Sequence, residues 1–243
     1  ETAVDRRVVV SERKRGDDRV EVFSKKLGSL SGRVKIGKKP VIRILRGDPQ
    51  KFAYLIKALE LTFAEVGRSC GLNIEVSSDI PMGSGLSSSS AVSVATVAAT
   101  ARVLNEELSL SEVTELAFKT ELEVQSIASR AGVAVATYGG FLWLRHNKIK
   151  RLNKIPQVKV VVGNTNVPCS TSSMVRKVRQ LKEDHPSAVE CIFRLIGTLT
   201  EVGIESIKKR DFERTGKLMD INQACLSALG VSSPELERLI GAA

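Results

Sequence analysis

The sequence predicts an α+β protein, strand-rich with inserted helices in its first half and mostly helical in its second. Three observations point there. Residues 72–77 (LNIEVS) alternate apolar and polar, the two-residue period of a strand with one buried face. Residues 51–70 carry Phe52, Leu55, Ile56, Leu59, Leu61 and Val66 at helical spacing. From residue 172 onward the patterns are almost all helical.

The elements follow in order. Residues 8–10 and 20–23 are expected as strands flanking the polar turn Arg15-Gly16-Asp17-Asp18. The helix over 51–70 has Gly71 as its stop signal, and the strand over 72–77 comes next. A glycine- and serine-rich segment then leads into residues 91–104, a stretch of Ala and Val with few polar atoms, predicted as a buried helix. Ser109-Leu110-Ser111-Glu112 matches a capping box, with Ser109 as N-cap of a helix running to about residue 127. Residues 133–144 and 158–162 are predicted as strands. The basic run 145–151 (RHNKIKR) suits a hairpin or strand edge, where Lys and Arg discourage edge pairing. Helices are predicted over 172–182, 188–209, 212–228 and from 234 on.

Composition bounds the function. A chain of 243 residues holds one large domain or two small ones and buries a core without disulfide or metal staples. Aromatics are only 4%, so Val, Leu, Ile and Ala must form that core. The formal net charge of +10 has two readings: a solvated basic surface, or a field that attracts anionic ligands such as nucleotides. Nucleic acid is disfavoured as a partner, because the basic residues are scattered and few aromatics are available for stacking. The cysteines (Cys70, Cys169, Cys191, Cys225) form no CxxC pair, and the only histidines are His146 and His185, so a zinc site is not expected. Scattered free cysteines suit a reducing cytoplasm. No apolar run approaches the roughly 20 residues that span a bilayer, so no membrane association is expected.

The segment Ile80-Pro81-Met82-Gly83-Ser84-Gly85-Leu86-Ser87-Ser88-Ser89-Ser90-Ala91 carries the chemistry. Glycines let backbone approach a ligand without a Cβ clash. Successive amides in such a loop form an anion-binding concavity, and the following helix adds its unpaired N–H groups and partial positive charge. Serine hydroxyls donate to phosphate oxygens or coordinate Mg²⁺. The segment lacks the Gly-Lys-Ser/Thr of a Walker A loop and the third glycine of a dinucleotide fingerprint. Spacing alone also permits a helix cap with a flexible approach.

Residues 81–91 resemble the second motif of the GHMP kinases (galactokinase, homoserine, mevalonate and phosphomevalonate kinases), P-x-G-x-G-L-G-S-S-A-A. Residues 121–140 (ELEVQSIASRAGVAVATYGG) are similar to the mevalonate kinase segment around its catalytic aspartate. Residues 161–175 (VVGNTNVPCSTSSMV) look like the archaeal-type stretch V-x-G-x-T-G-V-x-x-S-T. Leu218-Met219 with residues 229–239 (LGVSSPELERL) resembles the helical segment before the family's last motif.

The resemblance implies a two-lobed GHMP kinase fold. Residues 1–155 would form an N-terminal ATP-binding domain with a mixed sheet and buried helices. Residues 156–243 would form an incomplete, more helical C-terminal domain, with the active site in the cleft between them. It implies transfer of the ATP γ-phosphate to the 5-hydroxyl of mevalonate in isoprenoid precursor synthesis, with ATP and Mg²⁺ as cofactors and a possible homodimer. Pro81, Met82, Gly83, Ser84, Gly85, Leu86, Ser87, Ser88, Ser89 and Ser90 would hold the phosphates. Ser89 and Glu121 fall on the Mg²⁺ ligands, a shell of one hydroxyl and one carboxylate that suits an ion keeping several waters. Alternatively, Glu121 is a solvated helix residue beside Glu123. Thr137 and Thr165 lie in stretches near the substrate, or are strand hydroxyls satisfied by backbone.

Three departures qualify this. The family's catalytic aspartate should stand at 132, but the run is Ala128-Ser129-Arg130-Ala131-Gly132. Glycine accepts no proton, so the general base would be absent. Arg130 could instead stabilise the transferring phosphoryl oxygens, or be a surface residue. Ser87 replaces a family glycine, and its β-carbon would crowd the phosphates unless the loop tolerates it. The family's first motif and its last glycine-rich loop do not occur, so the chain is expected to be the middle of such a kinase. Two alternatives stay open: a sibling acting on phosphomevalonate or another hydroxy acid, and a non-catalytic nucleotide-binding relative.

Overall fold

The structure is a computed structural model and describes residues 1–37, 39–81, 83–145, 148–153, 155–167 and 171–242. Met82, His146 and Cys169 lie outside those residues. The chain divides into two compact units, Glu1–Leu152 and Asn153–Ala243, described here in turn.

The first unit is built on a five-stranded mixed sheet. Its strands are β1 (Val8–Lys14), β2 (Arg19–Ser24), β3 (Gly28–Lys35), β4 (Val41–Arg46) and β5 (Leu72–Ser78), in the order β1-β5-β2-β3-β4. β2 and β5 run parallel, with Val20 opposite Leu72 and Val22 opposite Ile74; the other pairs are antiparallel. The predicted alternation in β5 holds: Leu72, Ile74 and Val76 are buried while Asn73, Glu75 and Ser77 are exposed. β3 and β4 escape prediction. Their inward residues Leu30, Gly32, Val34 and Ile42 are interleaved with Ser, Lys and Arg, and only pairing of β3 with β2 and of β4 with β3 reveals one apolar face.

α1 (Ala53–Val66) lies against this face, following a 3-10 turn at Pro49–Phe52. Asp48 caps the turn by accepting from the Gln50 N–H at 2.9 Å, with proline in the first turn. Leu55, Leu59 and Phe63, one helical face, join Val20, Val22, Leu30, Leu72 and Ile74 in one core cluster. The helix ends at Gly67, left-handed at φ 70°, earlier than the predicted stop at Gly71.

α2 (Ser88–Val103) is the buried helix the composition predicted. It packs against α1, β1, α3 (Leu110–Gln125) and α4 (Arg130–Tyr138). Its Ser, Ala, Thr and Val side chains are short enough to let all four approach. Val94 and Val97 join Ala58, Val113, Leu116, Ala117 and Val133 in a second core cluster. The predicted capping box opens α3: the Ser109 N–H donates to Glu112 Oε2 at 2.7 Å and the Glu112 N–H to Ser109 Oγ at 3.2 Å.

Thr96 on α2 is fully buried, and its hydroxyl has no hydrogen-bond partner among the described residues. A buried unpaired hydroxyl costs about 1–3 kcal/mol. Thr96→Val keeps the branched shape and removes that group, so chemical denaturation should show stability rising by about 1 kcal/mol. A loss would mean that the hydroxyl is paired.

The strand predicted over 133–144 is corrected. Residues 130–138 form α4, and only Leu142–Arg145 (β6) is strand, paired with Lys148–Arg151 (β7). Val-Ala-Val-Ala suits a two-residue period, but Ser129 accepts from the Ala131 N–H at 3.2 Å and starts a helix that buries Val133 and Ala134. The hairpin expected around 145–151 is the β6–β7 pair, with Arg145 opposite Lys148.

In the second unit the described elements are helices α5 (Thr171–Asp184), α6 (Pro186–Lys208), α7 (Phe212–Ala228) and α8 (Pro234–Gly241), close to the predicted spans. α6 packs on α5 and α7, burying Val189, Leu199, Cys225 and Leu229. Asp211 and Ser233 cap α7 and α8. The strand predicted over 158–162 is absent, and Val161 is 97% exposed. The unit's described elements offer that apolar run no strand to pair with. No described helix is long and apolar enough to cross a membrane.

Candidate functional site

β5 ends in a turn in which the Ile80 N–H donates to Ser78 Oγ at 3.1 Å and the Ile80 side chain is buried. That anchor delivers the chain to Pro81. Beyond it Gly83 and Gly85 have φ of 69° and 75°, and Ser84 Oγ donates to the Pro81 carbonyl at 2.8 Å. The positive φ values are what the glycines are needed for. Ser87 also lies in the left-handed region (φ 53°, ψ 40°) although it carries a side chain.

α2 begins at once. The Ala91 N–H donates to the Ser87 carbonyl at 3.1 Å, so the first α-helical bond reaches Ser87. The backbone N–H groups of Ser88, Ser89 and Ser90 precede it and have no acceptor within the helix. Ser87 makes no side-chain cap, and the first turn holds no acidic residue. An uncapped, acid-free helix start behind a two-glycine loop is electrostatically suited to an anion.

The first turn of α2 is tied to α3. Glu121 Oε1 accepts from Ser89 Oγ at 2.8 Å and from Ser90 Oγ at 2.9 Å. Glu121 is 3% exposed, so it is not a solvated residue in a charged run. The neighbouring Glu123 does face solvent, ion-paired with Lys57 at 3.3 Å, and Lys57 also holds Glu60 at 2.8 Å. Tyr54 on α1 completes the cluster. Burial, and next the Glu121 charge, raises its pKa, and Ser89 partly offsets that rise. Tyr54 and Ser90 were missed as Glu121's surroundings. Tyr54 sits one position off the apolar stripe of α1, and nothing local in the sequence marks it.

Gly132 belongs to the same cluster. A β-carbon on it would lie 2.5 Å from Ser90 Oγ, 3.0 Å from Ser87 Oγ and 3.1 Å from Ser87 Cβ. Position 132 therefore faces the first turn of α2. Arg130 is engaged elsewhere: its guanidinium pairs with Glu115 through both nitrogens and lies 4.1 Å from the Phe118 ring centre. Thr137 Oγ1 donates to the Val133 carbonyl at 2.8 Å, a hydroxyl satisfied by its own helix. Thr165 lies in the second unit, where its Oγ1 accepts from the Val167 N–H at 3.2 Å.

The chain is similar to known proteins. Residues 53–140 match the family model of the GHMP kinases' N-terminal domain. The chain is 36% identical over 196 residues to the mevalonate kinase of Pyrococcus abyssi, covering 79% of this chain and 58% of that protein. Against the mevalonate kinase of Pyrococcus horikoshii it is 39% identical over 196 residues, with the same coverage. In structure it matches the crystal structure of the Methanococcus jannaschii mevalonate kinase with a TM-score of 0.73 at 23% identity, covering 96% of this chain and 72% of that one. The chain thus spans under two thirds of the length of these Pyrococcus relatives.

Proposed function

We propose, from the match of residues 53–140 to the GHMP kinases' N-terminal domain, an ATP-dependent kinase that phosphorylates the 5-hydroxyl of mevalonate. The observation that carries the reading is the buried Ser89–Glu121–Ser90 cluster at the uncapped start of α2, directly behind the glycine loop. Relatives of this sequence are mevalonate kinases, and the stretch they share includes the loop and α3. The reading assigns residues 1–155 to ATP binding and 156–243 to the second domain. Unbonded Cys70, Cys191 and Cys225 favour a reducing, cytoplasmic setting.

Each group has a role that its geometry supports. The amides of residues 83–90 would cradle phosphate oxygens, which the helix dipole favours. The Ser89 hydroxyl and Glu121 carboxylate, 2.8 Å apart, fit the hard oxygen donors that Mg²⁺ takes. Bound there, Mg²⁺ would neutralise charge on the β- and γ-phosphates. Ser90 holds Glu121 in place. Arg130, taken up by Glu115 and Phe118, braces α4 against α3. We retain Thr137 and Thr165 as the substrate-side candidates.

No carboxylate stands at position 132 to take the acceptor proton. Phosphoryl transfer leans largely on positioning and charge stabilisation, so turnover survives at a cost of about 10²–10⁴-fold. Gly132 also favours a second reading, a relative that binds nucleotide without transferring phosphate. A coupled ADP-release assay with mevalonate, phosphomevalonate and homoserine separates them. Mevalonate-dependent ADP release is expected. ATP binding with no release on any acceptor would leave only the second reading, and release on another acceptor would reassign the substrate.

A further inference from the structure

We infer that Ser87 and Ser90 close position 132 to any side chain, so that Gly132, Ser87 and Ser90 form one coupled unit and the wall of the site there is built of hydroxyls. Its catalytic consequence rests on the kinase reading; the coupling does not.

The geometry is closed on both sides. A β-carbon at 132 would stand 2.5 Å from Ser90 Oγ, closer than packed atoms approach. Ser90 cannot turn away freely. It is 3% exposed, and its hydroxyl is spent on Glu121 Oε1 at 2.9 Å. Rotating it would leave the buried carboxylate with Ser89 as its remaining hydroxyl donor in the cluster. Moving α4 instead meets Ser87, whose Oγ and Cβ would lie 3.0 and 3.1 Å from the new atom.

Ser87 itself is out of place by local rules. Its left-handed backbone suits glycine, and a side chain there is strained. Packing across the space that Gly132 leaves open is the one local compensation visible for it. The strained serine and the bare glycine thus account for each other. In a helix a glycine is ordinarily the weaker choice, and alanine the better one. Here the order should reverse.

That reversal is the test, read by thermal melting of the whole chain in two backgrounds, each with and without the substitution at 132. Gly132→Ala alone should lower the Tm by about 2–4 °C. Placed in the Ser87→Gly, Ser90→Ala double variant, the same change should raise the Tm, since only the ordinary helix preference remains. Gly132→Ala raising the Tm equally in both backgrounds would overturn the inference. Gly132→Asp should likewise melt low alone and recover in the double variant.

A kinetic arm reads what a purely structural effect would not move. Only in the triple variant S87G/S90A/G132D should phosphoryl transfer gain a rise through the carboxylate range, near about pH 4. The same rise in G132D alone would mean that the serines do not exclude the carboxylate, and would sink the coupling. A triple variant that melts as expected yet gains no such rise keeps the coupling and removes position 132 from the chemistry.

Discussion

Glu121→Gln should lower Mg²⁺-dependent turnover by roughly 10²-fold, a loss of a few kcal/mol of charge stabilisation. The substitution is chosen to spare the fold. Glutamine keeps an oxygen to accept from Ser89 and Ser90, now 2.8 and 2.9 Å from Oε1, and fills the same buried volume. What it removes is the negative charge beside the first turn of α2. If that charge serves a cation, the apparent Mg²⁺ requirement should climb while the melting temperature holds. Titrating Mg²⁺ at saturating ATP gives the first quantity and calorimetry the second. Unchanged Mg²⁺ dependence would remove Glu121 from the metal shell. A collapsed Tm with unchanged dependence would make the cluster a packing device alone.

The second large effect lies on the other end of α2. Glu12 points from β1 toward Thr100, whose hydroxyl donates to Oε1 at 3.0 Å and Oε2 at 3.1 Å. Burial outweighs that bond and pushes the Glu12 pKa up from 4.5 to about 8. Between those values the folded protein keeps a proton that the unfolded chain releases. Stability should therefore fall as pH rises from about 4.5 to about 8, and level off outside that window. A shift of this size corresponds to up to about 5 kcal/mol. Glu12→Gln cannot ionise, so its stability should lack this fall and exceed the parent's increasingly toward pH 8. Urea unfolding across the window measures both curves. Parallel curves would show that Glu12 titrates as an exposed carboxylate does.

Both positions show how far local pattern reaches. The glycine loop, the buried helix after it and the Ser109–Glu112 capping box are legible because each depends on neighbours within a few residues. Ser89 and Glu121 were legible only through the resemblance, since no spacing rule joins residues so far apart. Their contact exists because α2 and α3 pack on one core around Val97, Leu116 and Ala117. The failures have the same origin. β3 needed β2 beside it, and β4 needed β3, to display an apolar face. Residues 133–138 carry an alternation that fits a strand, but Ser129 and the core around Val133 made them helix. The apolar run at 158–162 has strand composition without a partner strand. Periodicity states which faces could be buried, and packing decides which are.

Sequence alone determined the α+β class, the order of most elements and the glycine- and serine-rich make-up of residues 80–91. It also determined that no carboxylate stands at 132. Tertiary structure decided what that glycine means. Steric exclusion acts through space over a few ångströms, and only the packed chain brings Ser87 and Ser90 to the place where a β-carbon on residue 132 would stand.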